Sequence, residues 1–294
     1  MSGMASRCPD WFRSLRRAEG LPADYDTAAH EVIEPLAGLF ASLRESAADP
    51  VVVGICGAQG SGKTTLALFL ETWLRREHDL GVARLSLDDL YLTKADRERL
   101  ALSIHPLLRT RGVPGTHDVG LGMRLLDELT SASGTVALPR FDKVADDRAP
   151  ESTWPVLATP VDVVLFEGWC VGVRPQSPAA VLEPVNELET DEDPDASWRR
   201  YVNDRLATEY ARLFEVLDAL VLLQVPSFAK VLEWRGLQER KLAGAVDDRQ
   251  MLRFVRHFER LTRHTLETMP RYADVVIDVD EDHRLGEIEV HGWK

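Results

Sequence analysis

The chain has 294 residues, of which 45% are hydrophobic and 28% charged, a composition typical of a folded globular protein that excludes a predominantly disordered chain. Its 48 acidic and 35 basic residues give a formal net charge of −13, which disfavours general nucleic-acid binding, although a few placed arginines still suit a small anion. The three cysteines, Cys8, Cys56 and Cys170, stand far apart without a CxxC pair, so neither a disulfide framework nor a zinc site is expected.

Residues 1–50 are predicted to form an N-terminal helical extension. Apolar residues between Val32 and Leu43 recur at helical spacing, and Pro35 lies inside the pattern, where a helix either begins or kinks. The first twenty residues lack the apolar run of a signal peptide, and no stretch approaches the 18 consecutive apolar residues of a membrane span. We therefore expect a cytoplasmic protein without a membrane association.

From Val51 onward, apolar β-branched runs alternate with helical patterns. Predicted strands lie at 51–56, 82–87, 161–166, 217–225 and 273–279. Predicted helices lie at 64–77, 120–130, 197–216 and 248–268. This alternation predicts an α/β fold with a mostly parallel sheet flanked by helices, and we assign residues 51–294 to one such domain.

Two segments differ from this pattern. Residues 183–195 hold seven acidic residues and no basic one, which is typical of a solvated loop. Residues 103–118 are rich in Gly, Pro, His and Arg and are predicted to form a long ordered loop, the kind of segment that often carries function.

The most specific motif matches G-x-x-x-x-G-K-[ST] and lies between a predicted strand and a predicted helix. Its glycines let backbone N–H groups point at phosphate oxygens, and the helix N-terminus favours the same anion. Lys63 is expected to reach the β- and γ-phosphates, and Thr64 to bind Mg²⁺. The candidate nucleotide-binding residues are Gly57, Ala58, Gln59, Gly60, Ser61, Gly62, Lys63, Thr64 and Thr65.

Acidic residues follow two of the predicted strands, at the edge of the sheet where doubly wound folds bind their ligands. Glu167 follows the run 161–166 and is a candidate direct or indirect Mg²⁺ ligand. Asp88 and Asp89 follow the run 82–87. If the strand continues through them, they point to opposite sides, so that one faces the phosphates while the other caps the next helix. Asp88 is the candidate general base or metal-side carboxylate.

The remaining motifs disfavour a GTPase. Residues 93–96 match the guanine motif [NT]KxD but lie too early in the chain, and no DxxG follows a hydrophobic strand.

Further motifs carry a resemblance to a known family. The P-loop, SLDDLYLT at 86–93, RGVPGTHD at 111–118, LPRFDK at 138–143 and LFEGW at 165–169 resemble those of D-glycerate 3-kinase and its relatives, within the group that includes uridine kinase, phosphoribulokinase and pantothenate kinase. The resemblance implies a mononucleotide-kinase-like P-loop NTPase fold and phosphoryl transfer from ATP to an alcohol. It also implies a lid at about 230–248, with Arg235, Arg240 and Lys241 as candidates to cover the phosphates.

A glycerate-like acceptor carries a carboxylate and hydroxyl groups, so its pocket requires cations and hydrogen-bond donors. One loop concentrates Arg111, Thr116 and His117, and a second concentrates Arg140, Asp142 and Lys143. Together with Asp88 and Tyr91, these are the candidate acceptor-binding residues. Some of them are equally able to fasten the two loops to each other.

The sequence thus predicts an ATP- and Mg²⁺-dependent kinase for a small anionic or polyol substrate, with D-glycerate as the favoured acceptor and 3-phosphoglycerate as the product. Three alternatives stay open: a kinase of the same group with a uridine, pantothenate or sugar-phosphate acceptor, an ATPase that acts through a protein partner, and a kinase that has lost catalysis. No motif indicates a protein partner, and the acidic stretch 183–195 is the only support for the second alternative.

Overall fold

A computed structural model describes residues 8–131, 133–243 and 248–292, and the side chains of all of these except 236–243 and 248. Its α-helices are α1 (Asp10–Ala18), α2 (Glu34–Ser46), α3 (Lys63–Glu77), α4 (Lys94–Ser103), α5 (Val119–Ser131), α6 (Pro178–Leu182), α7 (Glu187–Glu192), α8 (Ser197–Arg205), α9 (Ala211–Phe214), α10 (Phe228–Ala243) and α11 (Asp248–Thr268). Within the described residues, no helix is both long and apolar enough to cross a membrane.

The strands are β1 (Val51–Gly57), β2 (Val82–Ser86), β3 (Gly134–Ala137), β4 (Phe141–Asp142), β5 (Asp147–Arg148), β6 (Val156–Thr159), β7 (Val163–Gly168), β8 (Ala219–Gln224), β9 (Val275–Val279) and β10 (Leu285–Val290). Six of them form the main sheet in the order β10-β9-β8-β1-β7-β2, and β3–β6 and β4–β5 form two small ribbons. Neighbouring strands from β2 to β9 are parallel, and β10 joins the edge antiparallel to β9. The predicted α/β fold with a mostly parallel sheet is therefore confirmed.

The register of the central strands brings three candidate segments together. Ile55 of β1 and Ser86 of β2 both pair with Glu167 of β7. Three features consequently meet at one edge of the sheet: the loop after β1, the carboxylate at the end of β7 and the turn after β2. Strand β2 ends at Ser86, and a 3₁₀ turn, Leu87–Leu90, carries Asp88 and Asp89. Their directions are thus set by a turn rather than by strand alternation.

The N-terminal helices cover one face of the sheet. Pro35 lies in the first turn of α2, which continues directly from a π-helical turn, Ala29–Ile33, so the proline marks a change of helix type rather than the start of the helical segment. Phe12 of α1 packs on Phe69 of the P-loop helix α3, with ring centroids 4.5 Å apart, and Trp11 packs edge-on against Trp73 of the same helix. Both of these N-terminal rings therefore rest on the helix that begins at Lys63.

The acidic stretch 183–195 differs from its prediction. It contains α7, and two of its carboxylates, Glu189 and Asp193, are fully buried. Glu189 accepts from Arg260 of α11 at 2.8 Å, and Asp193 pairs with Arg199 of α8 at 3.1 Å. The prediction of a solvated loop was wrong for these two residues, because buried arginines neutralise their charges: Arg260 is 71 residues from Glu189, and Arg199 belongs to the helix that follows Asp193.

We expect Glu189→Ala to lower the free energy of unfolding by about 3–5 kcal/mol, since it leaves Arg260 and Arg199 buried beside a missing charge. Glu192→Ala, on the same helix, removes a half-exposed partner of Arg253 and should cost less than about 1 kcal/mol. Urea unfolding of both variants measures the difference. Equal losses would show that the buried network does not stabilise the fold as argued.

Candidate active site

The segment Gly57–Thr64 connects β1 to α3 as a tight loop. Gly60 and Gly62 have φ angles of 80° and 89°, which lie in the left-handed region that favours glycine. Helix α3 begins at Lys63, and its first-turn N–H groups open toward the loop. This arrangement has the geometry of the anion-binding cradle that the sequence motif predicts.

Thr64 and Glu167 meet beside this cradle. The Thr64 hydroxyl donates to Glu167 Oε1 at 3.0 Å. Glu167 is 4% exposed, and its Oε2 is buried without a hydrogen-bond partner among the described residues. A buried carboxylate oxygen that lacks a donor, next to a hydroxyl, fits a hydrated divalent cation of the Mg²⁺ type. The residue types and their placement are therefore suited to the predicted metal.

Asp88 projects from the turn after β2 with both carboxylate oxygens engaged. Lys143 Nζ donates to Oδ2 at 2.7 Å, and Tyr91 Oη donates to Oδ1 at 2.7 Å. Burial by itself would raise the pKa of Asp88, but the charges of Lys143 and Lys63 and these hydrogen bonds lower the pKa below its ordinary value. Asp88 is consequently ionised throughout the physiological pH range.

Asp89 points in a different direction and joins two loops. It accepts the Phe141 N–H at 3.0 Å and the Arg140 guanidinium at 3.2 Å. Burial raises the pKa of Asp89, while Phe141 and Arg140 act in the opposite direction. Arg140 is thus held as the partner of Asp89, at a position outside the lining of the main cavity.

Arg111 is fixed by a second set of ion pairs. It pairs with Asp146 and lies over the Phe141 ring, 5.5 Å from the centroid. The buried Arg97 also pairs with Asp146, at 3.0 Å, and donates to the Arg109 carbonyl at 2.7 Å. The guanidinium groups of Arg97 and Arg111 therefore anchor the loop that presents Lys143.

Thr116 and His117 lie behind the cavity wall. Thr116 is fully buried; its hydroxyl accepts the Gly112 N–H at 2.9 Å and donates to the Val113 carbonyl at 2.7 Å, so it shapes its own loop. His117 is 4% exposed, stacks on Tyr91 with centroids 4.8 Å apart, and has Nδ1 2.5 Å from Tyr210 Oη. Burial lowers the pKa of His117 to about 3, so the ring is neutral.

Asp142 lies on the surface. Its carboxylate accepts the N–H groups of Val144 and Ala145 at 2.8 and 3.0 Å, which closes a turn. These two hydrogen bonds lower the pKa of the Asp142 carboxyl group. Its contacts are those of a turn residue, and it does not line the cavity.

One cavity of about 740 Å³ connects these groups. The P-loop residues Gln59–Thr65 form its middle, and one end is lined by Asp88, Tyr91, Arg111 and Lys143. The opposite end is lined by Gly20, Leu21, Pro22, Asp24, Tyr25, Thr27, Ala28, Trp234, Arg235, Phe254, Asp282, His283, Arg284 and Leu285.

Among the residues of this opposite end, only Arg235 was predicted as a site residue, because the others belong to no phosphate-binding motif. Trp234 is almost fully buried, as its apolar ring would suggest, but it also lines the cavity. The predicted lid, at about 230–248, spans most of α10 and reaches the first residue of α11, and its residues 244–247 lie outside the described residues. The side chains of Arg240 and Lys241 lie outside the described residues.

The fold and the P-loop together define a P-loop NTPase. No protein-family model matches the chain. The uncharacterized kinase mug58 of Schizosaccharomyces pombe is 36% identical over 222 residues, which are 71% of this chain and 78% of that protein. The chloroplastic D-glycerate 3-kinase of Arabidopsis thaliana is 31% identical, over 79% of this chain but 53% of the plant protein.

A solved structure agrees with these relatives. D-glycerate 3-kinase from Cryptococcus neoformans matches with a TM-score of 0.72 at 27% identity, over 88% of this chain and 98% of that one. The chain belongs to the family of P-loop kinases that includes D-glycerate 3-kinase. It is therefore a phosphotransferase of the glycerate kinase type, as the sequence motifs predicted.

We expect His117→Gln to weaken the pH dependence of folding. Between pH 6.5 and about 3, the unfolded chain binds a proton at His117 that the native protein does not, so stability falls as the pH is lowered. This one group contributes a loss of about 2 kcal/mol between pH 7 and pH 5, which the variant should no longer show.

Urea unfolding at the two pH values measures this difference, and His78→Gln, a change at an exposed histidine, is the matched control. A pH dependence in His117→Gln that equals that of the unchanged protein would contradict a buried neutral histidine.

Proposed function

We propose that the protein transfers the γ-phosphoryl group of Mg·ATP to a hydroxyl group of D-glycerate, giving 3-phosphoglycerate. The observation that carries this proposal is that the P-loop lines the same cavity as Asp88, Lys143 and Arg111. The names of the plant and fungal relatives support the choice of acceptor. Because the chain spans about half of the plant enzyme, that enzyme's substrate supports the proposal and does not define it.

The nucleotide half of the site follows from the P-loop. Backbone N–H groups of 58–64 and the Lys63 ammonium group neutralise the triphosphate, with Arg235 and the predicted lid residues closing over it. Thr64 and Glu167 are the residues that hold Mg²⁺. When bound, this cation supplies positive charge to the phosphate oxygens and orients them.

The part of the cavity that binds the phosphoryl acceptor requires positive charge to hold a carboxylate. It also requires an oxygen atom that accepts a hydrogen bond from the reacting hydroxyl. Lys143 and Arg111 supply the cations, and both side chains line the end of the cavity that holds Asp88. Tyr91 holds one carboxylate oxygen of Asp88, which limits the directions in which that group can face. In this proposal Thr116 and Asp142 shape their own loops through hydrogen bonds within them. Arg140 is held by Asp89, and His117 by Tyr91 and Tyr210, so these two side chains position the loops rather than bind the acceptor.

In the transfer step, the acceptor hydroxyl oxygen forms a bond to the γ-phosphorus as the bond from that phosphorus to the β–γ bridging oxygen breaks. The bridging oxygen keeps the electron pair and leaves as part of ADP. Asp88 orients the hydroxyl and takes its proton late, when the partly bonded oxygen has become acidic. The lowered pKa of Asp88 suits orientation better than early proton abstraction.

The alternative of an ATPase that acts through a protein partner loses part of its basis. Its only support in the sequence was the acidic stretch 183–195, and two of those carboxylates are buried in ion pairs. A kinase with another acceptor stays open to direct test.

ADP formation from Mg·ATP should rise strongly with D-glycerate and not with L-glycerate, uridine, pantothenate or ribulose 5-phosphate. Lys63→Ala is the blank, and it should lose most of the turnover while staying folded, because it removes the charge nearest the transferred group. Coupled spectrophotometry measures ADP, and circular dichroism checks the fold.

Stimulation by another acceptor alone would keep the kinase and reject glycerate. Turnover that is independent of every acceptor would reject the proposed transfer, and near-normal turnover of Lys63→Ala would reject the assignment of the phosphate cradle.

Asp88→Asn should lower kcat by about 10²–10⁴-fold while changing the affinity for ATP less than threefold, because Asp88 faces the reacting hydroxyl and not the nucleotide. The matched control is Asp142→Asn, an isosteric change at an exposed carboxylate of the neighbouring loop. Steady-state kinetics and ATP titration give the two quantities. Equal losses in kcat and in ATP affinity would instead place Asp88 at the nucleotide.

A further inference from the structure

The N-terminal segment 20–28 faces the P-loop across the cavity. Its residues in the lining are Gly20, Leu21, Pro22, Asp24, Tyr25, Thr27 and Ala28. The turn 282–285, between β9 and β10, lines the same end. These two pieces come from opposite ends of the chain, and neither carries a phosphate-binding motif.

The segment 20–28 is fastened on two sides. Asp24 pairs with Arg284 of the turn at 2.9 Å, and the Tyr25 ring lies 5.2 Å from that of Phe69 on the P-loop helix α3. Arg16 donates to the Leu21 carbonyl at 2.8 Å and pairs with Asp26 at 2.8 Å. The segment therefore has a defined position relative to both the P-loop and the turn.

Because the P-loop lies in the middle of the cavity, one end is left for the phosphoryl acceptor and the other for the nucleoside of the nucleotide. The acceptor oxygen and the γ-phosphate have to meet at the end that holds Asp88. A triphosphate on the P-loop then places its nucleoside toward the opposite end, where segment 20–28 and the turn 282–285 lie.

The chemistry of the opposite end suits a flat aromatic base. The Trp234 and His283 rings lie against each other with centroids 3.8 Å apart, and Phe254 lines the same region. Aromatic and apolar side chains stack on bases, and the Asp24–Arg284 pair at the rim offers polar partners for ribose hydroxyl groups.

We propose that the N-terminal segment 20–28 and the turn 282–285 form the nucleoside-binding part of this cavity, held together by the Asp24–Arg284 ion pair, and that they bind the purine nucleoside of ATP. The N-terminal extension would then be a part of the nucleotide site as well as a cover for the sheet. The inference rests on the proposed use of ATP.

Two ligands separate this inference from the proposed function. ATP engages both the P-loop and the nucleoside region, whereas inorganic tripolyphosphate engages the P-loop alone. Thr27→Trp places a large ring at the nucleoside end, and we expect it to weaken ATP binding at least tenfold and tripolyphosphate binding less than twofold in isothermal titration calorimetry. Ala23→Trp, an exposed neighbour outside the lining, is the matched control and should leave both affinities within twofold.

A charge exchange tests the ion pair without added bulk. Asp24→Arg and Arg284→Asp should each weaken ATP binding about threefold, in keeping with a half-exposed pair, and the double variant should recover the original affinity. Tripolyphosphate binding should stay constant in all three variants.

Unchanged ATP affinity in Thr27→Trp would overturn the inference and leave the proposed kinase intact. An equal loss of affinity for ATP and for tripolyphosphate in this variant would have the same meaning. A double charge exchange that binds ATP more weakly than either single variant would reject the role of the ion pair. If the unchanged protein binds tripolyphosphate but not ATP, both the inference and the proposed function fail.

Discussion

The contact between Thr64 and Glu167 depends on β1 and β7 lying side by side and parallel. Thr64 belongs to the helix that follows β1, and Glu167 ends β7, so the two side chains meet only because Ile55 and Glu167 share a register position. A shift of one residue would turn Glu167 to the other face of the sheet. The buried strands around this pair fix the register, and through it the position of a carboxylate that is costly to bury alone.

The acceptor side is assembled by charges rather than by a sheet. The loop that carries Lys143 contains little regular structure, and ion pairs connect it to its neighbours: Arg97 and Arg111 to Asp146, and Arg140 to Asp89. Arg97 is 1% exposed and donates to three backbone carbonyls. It is a rigid anchor, because each lost hydrogen bond would leave a buried donor unsatisfied. This division is consistent with a rigid phosphate site and an acceptor site whose specificity lies in loops.

The sequence was most informative where the structure is local. The strand that precedes the P-loop, the glycines of the loop and the helix after it are neighbours in the chain, and a short motif describes them. Strand β10 was missed because its residues are mostly exposed and alternate weakly. The burial of Glu189 depends on Arg260, 71 residues away, which no local pattern reveals. Likewise, the residue types of the loop 138–143 do not reveal which carboxylate each basic side chain contacts. Lys143 pairs with Asp88, whereas Arg140 pairs with Asp89.

The pairing of Asp24 with Arg284 joins positions separated by 260 residues. During synthesis on the ribosome, the P-loop leaves the exit tunnel long before β7, whose Val163 pairs with Val51, and far longer before the turn that carries Arg284. A nascent chain therefore holds an exposed, unpaired β1 and one wall of a cavity whose other wall has not yet been translated. Contacts of such long range make folding slow, and the complete cavity has to wait until the turn that carries Arg284 has been translated.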